Sequence, residues 1–81
     1  MEKSIYSENY RLLLRRLRQA RKRSGVTQAM LAKRIGESQS FVSKCERGER
    51  RMDLIEVREF CRALKINFIE FVRELDGALR G

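Results

Sequence analysis

Gln39, Ser40, Ser43, Lys44 and Arg47 set amide, hydroxyl and cationic groups at i, i+1, i+4, i+5 and i+8. On a helix that spacing forms a single stripe, while Val42, Cys45 and Glu46 fall on the opposite side. The stripe's chemistry is directional hydrogen bonding, the kind needed to read base edges in a DNA major groove. Gln39 offers a donor and an acceptor that match adenine N6 and N7, a contact worth about 1–3 kcal/mol of discrimination. Lys44 reaches guanine or a phosphate, and Ser40 is short enough to need close approach or a bridging water. Phe41 has two readings open: contact with a thymine methyl, the DNA backbone or a dimer mate, or cover for the edge of the core.

Bond-breaking chemistry finds little support. Cys45 has Glu46 beside it, but the chain contains no histidine to activate a thiol or complete a common zinc or catalytic set. Both cysteines, Cys45 and Cys61, lie on apolar helical stripes, which predicts buried free thiols in a reducing cytosol rather than a disulfide or metal site. No enzyme, cofactor or metal is called for. Aromatic residues lie mostly on inward faces, so a stacking platform for RNA is also a poor reading.

Two short helices and a tight turn would carry the stripe. Thr27 and Ser38 stand at N-cap positions, and Gly36 and Gly48 follow the two helix ends, where a left-handed backbone is needed. The spacing predicts helices over about 8–24, 28–35 and 39–47, a basic loop from Gly48 to Met52, and two more helices beginning after Asp53 and Asn67. The first would bury Tyr10, Leu13, Leu14, Leu17, Ala20 and Arg21, and the second Leu31, Ala32 and Ile35. The fourth would bury Leu54, Val57, Phe60, Cys61 and Leu64, with Asp53 and Glu56 as a capping box. The fifth would bury Phe68, Phe71, Val72 and Leu75, leaving apolar Ile69 and Leu79 for an interface. The expected layout is one domain over 8–76, its helix-turn-helix core at 27–48, with flexible ends at 1–7 and 77–81.

Charge agrees with a polyanionic partner. Of the 81 residues, 1–52 hold 14 Lys/Arg against 5 Asp/Glu, whereas 53–81 hold 5 against 6. The cationic half contains the helix pair, and that coincidence favours nucleic acid over a plain solvated face. Arg50 and Arg51, with Arg47 and Lys33, are expected beside phosphates. The first helix carries more cations (Arg11, Arg15, Arg16, Arg18, Lys22 and Arg23) than one groove can use, so several belong to a solvated face. The N-terminal residues show no apolar leader core and no stretch approaches a membrane span, so a cytosolic protein is expected.

Arg21 is anomalous, since it lies four residues beyond Leu17 on a stripe expected to be buried. A lone buried guanidinium is very unfavourable, so either Arg21 snorkels to solvent or it meets an acid, for which Glu46 is best placed.

The run from Leu17 and Arg21 through Gly25-Val26-Thr27-Gln28, Leu31-Ala32, Ile35-Gly36, Ser38-Gln39-Ser40, Val42-Ser43 and Glu46-Arg47-Gly48 resembles the Cro/cI-type helix-turn-helix regulators, the XRE-like family. The likeness extends through Ala63-Leu64 and Ile66-Asn67, about residues 13–72. It implies an all-α, compact five-helix, lambda-repressor-like domain that binds double-stranded operator DNA as a transcription regulator, most simply a repressor. It further implies a two-fold dimer, and the surplus apolar residues Ile69 and Leu79 place the expected homodimer interface on the C-terminal helices. By the same resemblance Gln28 matches a phosphate-holding position, Gln39, Ser40 and Lys44 match base-reading positions, and Ser38, Ser43 and Arg47 match flanking contacts. Arg21 and Glu46 match a buried ion pair. Met52 replaces a common proline and Lys65 a frequent glycine, so the turn after the fourth helix is expected to form without the usual left-handed residue. An alternative within this fold is a protein-interaction module such as an antitoxin.

Overall fold

A computed structural model describes residues 7–80, which form five α-helices and no strand among the described residues. They are α1 (Glu8–Arg23), α2 (Gln28–Ile35), α3 (Gln39–Arg47), α4 (Leu54–Ala63) and α5 (Phe68–Arg80). Every helix starts on a side-chain cap. Ser7, Thr27 and Ser38 accept hydrogen bonds from the backbone N–H of Tyr10, Met30 and Phe41, and Asn67 accepts one from Glu70. Asp53 and Glu56 form a reciprocal capping box. Each cap satisfies a donor that the helix itself leaves orphaned and contributes about 1 kcal/mol.

The core gathers Leu14, Leu17, Leu31, Val42, Cys45, Phe60, Cys61 and Leu64, contributed by the first four helices and the residue that ends α4. α2 and α3 pack on one another, α1 braces α3, and α5 closes over α1 and α4. Arg34 donates to the carbonyl of Ala63 at 2.7 Å, tying α2 to the open end of α4. Met52, where a proline was the usual residue, is buried, and its N–H donates to the Tyr10 hydroxyl at 2.9 Å. A proline has no N–H to give.

Three expectations are corrected. Leu54 is 66% exposed rather than inward, and Val72 is 38% exposed with Leu75 only half-buried. They rim an open apolar groove that includes Tyr10, Leu13, Val57, Phe68 and Phe71, left open by the described residues. Second, α5 does not fray at Gly77 but runs to Arg80. Ala78 is half-buried and Arg80 pairs with Asp76 at 3.5 Å, which offsets the low helix propensity of one glycine. Third, the turn after α4 does use a left-handed residue, because Lys65 itself takes φ 61°. Of the flexible N-terminal stretch expected at 1–7, Ser7 caps α1, and the rest lies outside the described residues.

Candidate nucleic-acid interface

The site is built from its buried support outward. Arg21 and Glu46 are both buried and form a two-point pair, Nε to Oε2 at 2.6 Å and a terminal nitrogen to Oε1 at 3.0 Å. The remaining Arg21 nitrogen donates to the Val26 carbonyl at 3.0 Å, so the guanidinium also fixes the chain entering α2. Gln28 donates from Nε2 to Glu46 Oε1 at 2.9 Å, and Arg18 approaches the same oxygen at 3.7 Å. Burial raises the Glu46 carboxyl, but hydrogen bonds from Arg21 and Gln28 and the charges of Arg21 and Arg18 outweigh it, holding the group below its ordinary range. One carboxylate thereby joins α1, the start of α2 and the end of α3.

Above this support, Gln39, Ser40 and Lys44 are exposed, and their side chains make no hydrogen bond to the described chain. Ser38 is spent on capping α3. Ser43 is half-buried and accepts a hydrogen bond from Arg47. Gly48 ends α3 with φ 80°, a conformation that favours glycine, and a Cβ there would meet Leu14 Cδ1 at 3.3 Å, so that side chain would have to give by a few tenths of an ångström.

The basic residues differ in availability. Arg47 is held by Glu49, with Nε to Oε2 at 2.8 Å. Arg50 is held by Glu56 at 2.8 Å and lies over the Phe41 ring at 4.7 Å. Arg51 stacks on Tyr10 at 4.4 Å. Phe41 is half-buried and packs on the core, which favours the core-edge reading, although Arg50 covers its outer face.

Four partners escaped the sequence. Arg18 stands among six cations of which several are assigned to a solvated face, yet its spacing one turn before Arg21 puts it on the side that meets Glu46. Gln28's inward hydrogen bond depends on tertiary placement, whereas the Glu49 and Glu56 clamps close around the loop after α3, over two and six residues, with no regular helical spacing to mark them. Both thiols are raised by burial, that of Cys61 to about 11, which leaves little thiolate at neutral pH. Among the described residues no cluster of His, Cys, Asp and Glu could hold a metal, and no helix is long and apolar enough to cross a membrane.

The helix-turn-helix domain family matches residues 12–67. Among solved structures, an XRE-family-like protein from Pseudomonas syringae is 43% identical, with a TM-score of 0.83 over 86% of this chain and 85% of that one. The restriction-modification controller protein C.AhdI from Aeromonas hydrophila is 33% identical, with a TM-score of 0.66 over 74% and 91%. The clp gene regulator ClgR from C. glutamicum is 26% identical, with a TM-score of 0.76 over 89% and 94%. No curated protein matches the sequence.

Proposed function

The chain belongs to the XRE-like helix-turn-helix family of DNA-binding transcription regulators, and on that premise we propose that it represses transcription as a homodimer, with α3 of each copy in the major groove of an operator. The observation that carries this reading is the unbonded, outward stripe of Gln39, Ser40 and Lys44 on a helix locked from beneath through Glu46. Gln39 and Lys44 read bases, and Ser40 contributes a short or water-bridged contact. Ser38, Ser43, Arg47, Arg50 and Arg51 contact the backbone and set register. Gln28 joins them through the second hydrogen of its amide, the first being committed to Glu46. Binding is the whole activity in this reading, with no catalytic step, and its place is the cytoplasm.

The homodimer uses the open groove among Tyr10, Leu13, Leu54, Val57, Phe68, Phe71, Val72 and Leu75, with exposed Ile69 and Leu79 nearby on α5. A second copy of this face would supply the apolar partner each groove lacks.

Footprinting on DNA flanking the gene tests the reading. A protected site with two half-sites about one helical turn apart is expected. Gln39→Ala should relax preference at one base pair, by about 1–3 kcal/mol, without unfolding the protein. Protection that survives loss of both Gln39 and Lys44 would remove α3 from the interface. Retention of a protein partner but not DNA would favour the antitoxin-like alternative.

A further inference from the structure

A second concave surface lies where the turn between α2 and α3 leans on α4. Its lining is Ile35, Glu37, Phe41, Ile55, Glu56, Glu59 and Phe60, around a space of about 110 Å³. Ile55 is 64% exposed, although it is a large aliphatic residue in the first turn of α4. The apolar groove assigned to the dimer does not account for it, because the two linings share no residue. Nor does the DNA stripe, since Gln39, Ser40 and Lys44 are not part of the lining.

Charge sets this surface apart. The chain carries a net +8, yet three carboxylates and no lysine or arginine line the cleft. Glu37 and Glu59 are exposed; Glu59 has Arg58 at 3.9 Å, a loose contact, whereas Glu56 is bonded to Arg50 at the border. Such a rim repels a phosphate backbone, so nucleic acid is the wrong occupant. An uncharged hydrophobic molecule would fill the space but leave the carboxylates unused.

We propose that this cleft is a docking surface for a second protein, through a segment that presents one aliphatic side chain between lysines or arginines. The aliphatic group seats among Ile35, Phe41, Ile55 and Phe60, and its basic flanks face Glu37 and Glu59. A space of about 110 Å³ is the share of three to four waters, enough for one branched side chain. The acidic rim steers and orients the segment, while the aliphatic contact supplies burial. This proposal goes beyond the DNA reading and stands or falls without it.

The test titrates the full chain with an amidated peptide built from alanine, lysine and one central leucine, and with a twin carrying glutamate for lysine. NMR signals of the Ile35 and Ile55 methyls and the Phe41 ring are expected to shift with the lysine peptide. Binding should weaken about tenfold or more for the glutamate twin, for Ile55→Ser, and for the double variant Glu37→Gln with Glu59→Gln. All three altered positions are exposed or at the rim, and an unchanged thermal midpoint would verify folding. Equal shifts from both peptides, no shift, or shifts centred on α3 or on Leu54 and Val72 would overturn the proposal. So would Ile55 shifts that follow the concentration of the chain alone, because the occupant would then be a second copy.

Discussion

Glu46 is the residue through which the proposed reading surface is held. Its two oxygens take donors from Arg21 and Gln28, with Arg18 alongside, so truncating either ionic partner strands a buried charge. Arg21→Ala should therefore lower stability by about 3–5 kcal/mol in urea unfolding, out of a total of roughly 4–12 kcal/mol for a chain of this size. The same carboxylate makes the fold acid-sensitive. Its folded pKa lies below the unfolded value of about 4.5, so its stabilisation is complete above that pH. As pH falls below about 4.5 towards the folded pKa the stabilisation is lost, and Glu46→Gln should flatten the decline. The Arg47–Glu49 contact is of another kind, exposed on both sides and of little consequence for stability. In the proposed DNA contact it matters because Glu49 would have to release Arg47 before Arg47 could neutralise a phosphate. Glu49→Gln should strengthen operator binding at low salt and steepen the log–log salt slope by about 0.9, one phosphate's worth. An unchanged slope would place Arg47 off the backbone.

The elements were legible to the extent that local chemistry sets them. Caps at Thr27, Ser38 and Asp53 and left-handed glycines at 36 and 48 mark the helix boundaries, and each acts within a few residues of where it is read. Arg21 was legible for a related reason: a charge on an apolar stripe demands a partner, and few acids faced inward. Leu54, Val72 and the last turn of α5 were misread because periodicity reports which side of a helix is apolar, not whether anything covers it. The Gln28–Glu46 hydrogen bond arises only once helices are placed together. Lys65 shows one local rule overridden by another, residue preference yielding to the C-terminal capping of α4. Its backbone is held at φ 61° because the following N–H, that of Ile66, must reach the Cys61 carbonyl at 3.0 Å. A lysine there carries roughly 1–2 kcal/mol of conformational strain that a glycine would avoid. Since glycine also enlarges the unfolded ensemble, Lys65→Gly should stabilise by about 0.5–1 kcal/mol in thermal unfolding. Gly48→Ala should destabilise, because it meets both a positive φ and Leu14.

At the scale of the whole molecule, charge and apolar surface are divided between different faces. The cationic sequence carries α1 to α3, whereas the open groove lies among α1, α4 and α5. Such a division suits a protein that meets a polyanion on one face and its own copy on another. In the proposed reading one copy alone carries one recognition helix and meets one half-site. Joining two copies makes the second contact effectively intramolecular, raising operator affinity by roughly 10²–10⁴ with no new contact to DNA. Val72→Glu tests this coupling cleanly, because Val72 is exposed in the single chain and its change should move monomer stability by no more than about 0.5 kcal/mol. The parent protein is expected to sediment as a dimer at tens of micromolar, and the variant as a monomer. Binding to a full operator should fall by that factor in the variant, while binding to an isolated half-site stays unchanged. A variant that remains dimeric would move the interface away from α5. A monomeric variant with undiminished operator affinity would separate self-association from DNA reading, leaving each α3 to recognise its half-site alone.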